Sequence, residues 1–180
     1  KVGINQADNT MSIFNDGKGI DVVMHPTEKM WVPELIFGSQ RSSTAFDVSK
    51  VRITGGLHGL GAKLTAIFST YFKVEVGDGK RGKVFSQIYT KNLSVKSKPK
   101  VSAYSGKGFV KITFKPDLKY FKVDKLSDDM ISLMQRRVYD IAALTPSYVS
   151  VSLDGNKVEV NNFNQYVGMF TKDKQVNDFC

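Results

Sequence analysis

Short alternations of apolar and polar residues run along most of the chain and predict strands. An apolar residue at every second position points one face of a strand to a core, as in Phe72, Val74 and Val76. Polar turns between neighbouring runs, such as Gly77-Asp78-Gly79, predict hairpins. The predicted strands cover residues 1–6, 11–14, 72–76, 83–89, 110–114, 149–153 and 158–160. Residues 95–104 are basic and loop-like in pattern, so we expect a loop there.

Apolar residues three or four positions apart predict helices. The stripe of the first helix consists of Leu60, Leu64, Ile67 and Phe68. The second helix follows the N-cap residue Ser127, and its buried stripe is expected to be Ile131, Met134, Val138 and Ile141. A short closing helix is predicted at residues 163–170. Because hairpins and helices follow each other without strict strand–helix alternation, the pattern predicts an α+β fold with helices on one face of a mostly antiparallel sheet.

Residues 21–54 show little periodicity, and two prolines and a polar run at 39–44 interrupt them. A stretch of this length with weak regular structure commonly covers a ligand. The glycine-rich loop Thr54 to Gly61 follows and leads directly into the first helix. Glycines let phosphate oxygens approach backbone N–H groups, so this loop is a candidate phosphate-binding site. Lys63, in the first helical turn, either binds an anion or is a solvent-exposed lysine. The spacing fits neither a Walker A sequence nor a Rossmann turn.

A second glycine motif, Asn15-Asp16-Gly17-Lys18-Gly19, lies upstream of this stretch. It is either an ordinary loop that leaves a strand, or a place where a flat base lies against glycine backbone. In the second case one amide or carboxylate would read the exocyclic amine of the base. We expect His58 to donate to a phosphate or to be exposed, and His25 to shape a turn.

Composition narrows the functional classes. The 180 residues suffice for one domain, and 41% apolar with 24% charged residues exclude a disordered chain and a collagen-like repeat. The net charge of +9 favours anionic partners such as nucleotides, nucleic acid or anionic lipid. The basic clusters at 80–81, 96–100 and 136–137 are expected to be solvated faces, with DNA contact as the alternative because Tyr89 and Tyr104 lie near some of these cations. One cysteine, Cys180, and two histidines are too few for a protein-built metal cage. A single cysteine cannot form an internal disulfide, which favours a reducing compartment. No apolar run approaches the ~20 residues of a membrane span.

Several motifs in sequence order resemble the ATPase domain of eukaryotic-type type II DNA topoisomerases. These motifs lie at residues 15–20, 32–38, 54–70, 112–118 and 133–142, and together they extend over nearly the whole chain. The resemblance implies the GHKL (Bergerat) ATP-binding fold, a two-layer sandwich of a mixed, mostly antiparallel sheet backed by helices. It also implies a single ATP-binding domain over residues 1–180, with an ATP lid over residues 21–54.

The resemblance implies roles for individual residues. Asn15 would read the adenine amine, and Gly17 and Gly19 would shape the base pocket. The lid residues that contact sugar and phosphate align with Ser43, Thr44 and Ala45. The loop expected to wrap the triphosphate consists of Gly56, Leu57, His58, Gly59, Leu60, Gly61, Ala62 and Lys63. The family usually has Arg-Asn in place of Leu57-His58 and Asn in place of Ala45. We therefore expect backbone N–H groups to be the main phosphate donors.

By the same resemblance, ATP binding closes two such domains into a dimer gate that drives one DNA duplex through another. The implied cofactors are ATP and Mg²⁺, and the implied partners are DNA and a second copy of the parent protein, in the nucleus and away from membranes. The family's catalytic glutamate and Mg²⁺-holding asparagine lie upstream of residue 1, and its γ-phosphate-sensing lysine lies beyond residue 180. We therefore expect a piece of a longer protein that has no catalytic residue or metal ligand of its own and hydrolyses ATP poorly or not at all.

Two alternatives stay open. A degenerate, non-hydrolysing relative would serve as a basic DNA- or protein-binding module, which Leu57, His58, Ala45 and the +9 charge favour. Another branch of the same ATPase superfamily, such as a chaperone or a mismatch-repair protein, is disfavoured by the topoisomerase-like motifs that follow Lys63.

Overall fold

A computed structural model describes residues 1–39 and 59–171 of the chain. The strands are β1 (Val2–Asn5), β2 (Thr10–Asn15), β3 (Ser69–Asp78), β4 (Lys83–Thr90), β5 (Val95–Lys96), β6 (Lys100–Ala103), β7 (Phe109–Pro116), β8 (Ser152–Leu153) and β9 (Asn156–Lys157). The helices are α1 (Val32–Gly38), α2 (Gly61–Ile67), α3 (Asp128–Leu144) and α4 (Phe163–Gly168). Backbone contacts divide the chain into two compact units, Thr10–Asp124 and Lys1–Asn9 with Lys125–Cys180. The single domain over residues 1–180 stays a prediction.

In the unit Thr10–Asp124, the sheet order is β5–β4–β3–β7–β2, and β6 also pairs with β4. All of these neighbours are antiparallel. The predicted hairpin of β3 and β4 is confirmed, with Phe72 opposite Tyr89. The prediction of a loop at residues 95–104 is wrong in part, because β5 and β6 lie in this range and pair with β4. Short strands of this kind are held by hydrogen bonds to the neighbouring strand. A pattern of alternating apolar and polar residues therefore does not predict them.

One face of this sheet carries the core of the unit. Alternation along the strands turns one set of large side chains to the same side, and these are buried: Phe72, Val74, Val76, Phe85, Tyr89 and Val110. Phe37 of α1 and Ala66 of α2 pack into the same cluster. Both helices contact β3. Helices α1 and α2 therefore cover this face.

Helix α1 lies within the range expected to be a weakly structured lid. It begins at Val32 with Pro33 in its first turn, a position that proline tolerates well. Its buried residues are Pro33, Glu34 and Phe37. Val22, upstream of the helix, is also fully buried. Residues 21–39 thus have more regular structure and more core contact than the sequence pattern predicts, while the lid itself stays a prediction.

In the other unit, β1 is parallel to β8, and β8 forms a hairpin with β9. This parallel pair beside antiparallel ones confirms a mixed, mostly antiparallel α+β architecture. Helix α3 begins as predicted, because the Ser127 hydroxyl accepts a hydrogen bond from the Met130 N–H at 3.2 Å. The expected buried stripe is wrong in part. Val138, Ala142 and Ala143 are the buried residues of α3, whereas Ile141 is 57% exposed.

A buried polar pair stabilises the core face of the sheet. The Tyr89 hydroxyl donates to Gln87 Oε1 at 2.6 Å, and Gln87 Nε2 donates to the Ser97 carbonyl at 2.9 Å. Both side chains are 1% exposed. Burial, with a smaller contribution from Glu34, raises the pKa of Tyr89 and keeps its hydroxyl protonated as a donor.

The Tyr89→Phe substitution is expected to lower the free energy of unfolding by about 1–3 kcal/mol, because it leaves the buried Gln87 Oε1 without its donor. Urea unfolding followed by circular dichroism measures this change. Tyr148→Phe is the matched control, since Tyr148 is 87% exposed. Equal stability of the two variants would contradict a contribution from the buried pair.

Candidate functional site

Three turns at one end of the sheet line a half-open cavity of about 470 Å³. The first turn, residues 17–21, follows β2; the second, residues 77–80, begins at the end of β3; the third, residues 105–108, precedes β7. The turns meet because Asn15 pairs with Val110, and Gly77 with Phe109. Backbone of six glycines forms much of the lining: Gly17, Gly19, Gly77, Gly79, Gly106 and Gly108. Three exposed lysines, Lys18, Lys80 and Lys107, line it together with two aspartates, Asp21 and Asp78.

Two of these glycines allow a close approach that a side chain would prevent. A Cβ on Gly79 would lie 2.4 Å from the Gly106 carbonyl oxygen. A Cβ on Gly77 would lie 2.4 Å from the Phe109 ring. Real Cβ atoms do not come so near to other heavy atoms, so the second and third turns pack together only with glycine at both positions.

An ionic network joins the first turn to the second. Asp78 Oδ2 accepts hydrogen bonds from the Val22 N–H at 2.9 Å and from Arg81 Nη1 at 3.1 Å. Asp78 Oδ1 accepts from the Arg81 backbone N–H at 3.1 Å. The Arg81 guanidinium also binds both carboxylate oxygens of Asp21, at 2.7 and 3.0 Å. This two-pronged geometry is the strong form of an arginine–carboxylate contact.

The electrostatics of Asp78 follow from these partners. The side chain is only 6% exposed, and burial alone would raise its pKa. The hydrogen bonds from Val22 and Arg81, and the charge of Arg81, outweigh burial, so the pKa of Asp78 lies below its ordinary value. Asp78 is therefore an anion at neutral pH.

The chain is similar in sequence to eukaryotic DNA topoisomerase 2. No family model matches the chain. It is 46% identical over 176 residues to DNA topoisomerase 2 of Bombyx mori and 44% identical over 174 residues to DNA topoisomerase 2-alpha of Homo sapiens. Each match covers 97% of this chain but 11% of the relative, so the chain spans about a tenth of their length.

Solved structures agree with these relatives. The ATPase region of Saccharomyces cerevisiae topoisomerase II matches 95% of this chain with a TM-score of 0.92 and 38% identity. The ATPase and transducer domains of the Balamuthia mandrillaris enzyme match 93% with a TM-score of 0.89 and 40% identity. The chain is a homologue of the ATPase region of DNA topoisomerase II. It covers 45% and 44% of those two structures. The resemblance found in the motifs is thus confirmed, and these names favour it over the chaperone or mismatch-repair branches.

The structure brings some of the predicted site residues to the cavity. Gly17 and Gly19 line it, and Gly19 has a φ of +76°, the left-handed region that favours glycine. Asn15 is the last residue of β2 and is exposed beside the first turn. Their roles toward adenine stay predictions.

The predicted phosphate loop is described only from Gly59 onward, and the described residues 59–63 do not line the cavity. Gly59 has a φ of +62°, and Leu60 is the N-cap of α2, with Gly61 and Ala62 in its first turn. Lys63 is 3% exposed, so the interpretation of this residue as a solvent-exposed lysine is wrong. Burial lowers the pKa of Lys63. The other predicted site residues, Ser43, Thr44, Ala45, Gly56, Leu57 and His58, lie outside the described residues, and their roles stay predictions.

Sequence reasoning missed the second and third turns as parts of this site. The sequence pattern indicated only a hairpin turn at Gly77-Asp78-Gly79. It indicated a solvated face at residues 80–81. Arg81 instead pairs with Asp21 and Asp78. The available signal for the third turn was Gly106-Lys107-Gly108, which repeats the Gly-Lys-Gly sequence of residues 17–19.

Within residues 1–39 and 59–171, no group of three or more His, Cys, Asp or Glu side chains is arranged to hold a metal ion. Every helix in the same ranges is too short or too polar to span a membrane.

The Gly79→Ala substitution is expected to destabilise the unit Thr10–Asp124 by about 1–3 kcal/mol, since overpacking forces the backbone of the third turn to move. Thermal unfolding measures the change. Gly168→Ala is the matched control, because a Cβ there meets nothing within 4 Å and alanine favours the helix. A Gly79→Ala protein as stable as this control would refute the close approach.

The Asp78→Asn substitution is expected to cost stability in a pH-dependent way. Because the folded-state pKa of Asp78 is lowered, its ionised form stabilises the fold above the ordinary value of 3.8, and this contribution is lost as pH falls through the folded-state pKa. Urea unfolding at about pH 7 and about pH 3 measures the free energy of unfolding of both proteins. The difference between them should shrink at the lower pH, and a constant difference would contradict the role of the carboxylate charge.

Proposed function

We propose that this chain is the ATP-binding domain of an ATP-dependent type II DNA topoisomerase. The proposal rests on one observation: 95% of this chain is similar in structure to the ATPase region of yeast topoisomerase II. Homologues at 38–46% identity commonly keep the ligand site of the shared fold, and two glycine motifs at separate positions of this fold are suited to a nucleotide.

The two motifs suit different parts of ATP. In the first turn, glycine backbone at Gly17 and Gly19 leaves room for a flat base, next to the amide side chain of Asn15. At the start of α2, the left-handed Gly59 and the buried Lys63 suit a triphosphate, because glycine exposes N–H groups and lysine supplies a positive charge. A nucleotide would therefore bind with its base toward the sheet end and its phosphates toward α2.

The parent protein's properties complete the proposal. ATP binding would bring two such domains together as a dimer gate and drive passage of one DNA duplex through another, in the nucleus. Mg²⁺ would enter with the nucleotide, since this ion is commonly bound through substrate phosphates with few protein ligands. The lid over residues 21–54, the contacts of Ser43, Thr44 and Ala45, and the single ATP-binding domain over residues 1–180 belong to this proposal.

Calorimetric titration of the chain with a non-hydrolysable ATP analogue, with and without Mg²⁺, tests the proposal. We expect saturable binding that Gly59→Val abolishes, because valine is strained at a φ of +62°. We expect Lys63→Gln to weaken it by about tenfold or more, as a charge-assisted contact is worth about 1.5–3 kcal/mol. The matched control is Lys157→Gln, which removes an exposed lysine of the other unit.

Absence of saturable binding by the unsubstituted chain would contradict the proposal for this chain. Equal binding by Gly59→Val, Lys63→Gln and the control would contradict the assignment of the phosphate loop. Phosphate release from ATP in the same preparations should stay at the background level, and Mg²⁺-dependent turnover would overturn the prediction that the chain has no catalytic residue.

A further inference from the structure

The first turn of the cavity has little backbone support of its own. No backbone-to-backbone hydrogen bond between described residues ends on residues 18–21. The turn also contains Gly17 and Gly19, the residues with the greatest conformational freedom. A turn of this kind samples many conformations unless side chains fix it.

Side chains of the second turn provide that support. Arg81 binds both carboxylate oxygens of Asp21, and Asp78 accepts the N–H of the next residue, Val22. Asp78 is the last residue of β3, a strand that pairs with β4 on one side and β7 on the other. The end of the flexible turn is thus attached to a rigid part of the sheet.

Some contacts of Arg81 are not needed to close the second turn. The bond from the Arg81 backbone N–H to Asp78 Oδ1 joins residues three apart and closes that turn locally. The guanidinium, however, reaches Asp21, which is 60 residues away in the sequence. The Arg81–Asp21 pair therefore acts on the first turn, and not on the hairpin of β3 and β4.

We infer that Arg81 and Asp78 are positioning residues that hold the Gly17–Asp21 turn in the conformation that accepts the nucleotide base. This inference rests on the proposed function, and it adds residues that touch neither the base nor the phosphates. The apparent affinity for a ligand falls in proportion to the population of the competent conformation. Release of the turn should therefore weaken binding of adenine nucleotides but not of inorganic triphosphate, which lacks a base.

The test is a pair of calorimetric titrations of the full chain, one with the non-hydrolysable ATP analogue and one with inorganic triphosphate. Arg81→Gln is expected to weaken binding of the analogue by about tenfold, which corresponds to a competent turn about a tenth of the time. Triphosphate binding should stay within about twofold. Arg81→Lys keeps the charge but loses the two-pronged contact, so its affinity should fall between those of Arg81→Gln and the unsubstituted chain.

Two further variants make the test specific. Asp21→Asn removes the other partner of the pair, and the double variant with Arg81→Gln should lose no more affinity than Arg81→Gln alone, since the two side chains act together. Asp21 is 60% exposed, so this variant keeps the test open if Arg81→Gln does not fold. Arg137→Gln is the matched control, because it breaks an arginine–aspartate pair of 2.9 Å on α3, in the other unit.

The outcomes separate the inference from the proposed function. An unsubstituted chain that does not bind the analogue contradicts the proposed function, and the inference falls with it. If the unsubstituted chain binds, unchanged affinity of both Arg81→Gln and Asp21→Asn for the analogue overturns the inference alone. An equal loss of analogue and triphosphate binding also overturns it, because that result indicates a general effect of charge or folding. Selective loss of analogue binding in both variants, absent from the control, supports it.

Discussion

The buried carboxylate of Asp78 fixes the first two turns of the cavity against each other. A charge removed from water is stable only with hydrogen-bonded partners of opposite polarity. Asp78 obtains them from the Val22 N–H and from both the backbone and the guanidinium of Arg81. These partners come from two separate segments of the chain. The need to satisfy one buried charge therefore fixes the course of the chain after β2 against the connection from β3 to β4.

The third turn of the cavity, residues 105–108, is held by packing and not by charge. The ring of Phe109 lies against Gly77, and the Tyr104 hydroxyl donates to the Lys107 carbonyl at 2.8 Å. The rings of Tyr104 and Phe109 meet edge to face, with centroids 5.7 Å apart. Large aromatic residues beside glycines thus bring backbone from two turns close together. Such a wall tolerates little change in shape, while the ionic contact of Arg81 with Asp21 lies nearer to solvent and depends on charge.

Local pattern predicted the parts of the fold that local forces determine. The alternation at Phe72, Val74 and Val76 predicted β3, and the Ser127 cap predicted the start of α3, because both signals act over a few residues. It did not predict β5 and β6, whose structure comes from pairing with β4. The glycines of the first turn were recognised by their spacing and by family resemblance. Arg81 was not, because its partner Asp21 lies 60 residues away and no short-range pattern encodes that contact.

The two ends of the proposed nucleotide site are linked through one core. Val22, which follows the first turn, and Ala66 of α2 are both fully buried in the cluster that contains Phe72, Val74 and Val76. A close-packed cluster of this kind resists small displacements, since each shift opens a void or creates an overlap. The distance between Val22 and Ala66 is therefore set by core packing. What the core leaves free is the conformation of the glycine turn itself, and the contact between Arg81 and Asp21 acts on that remaining freedom.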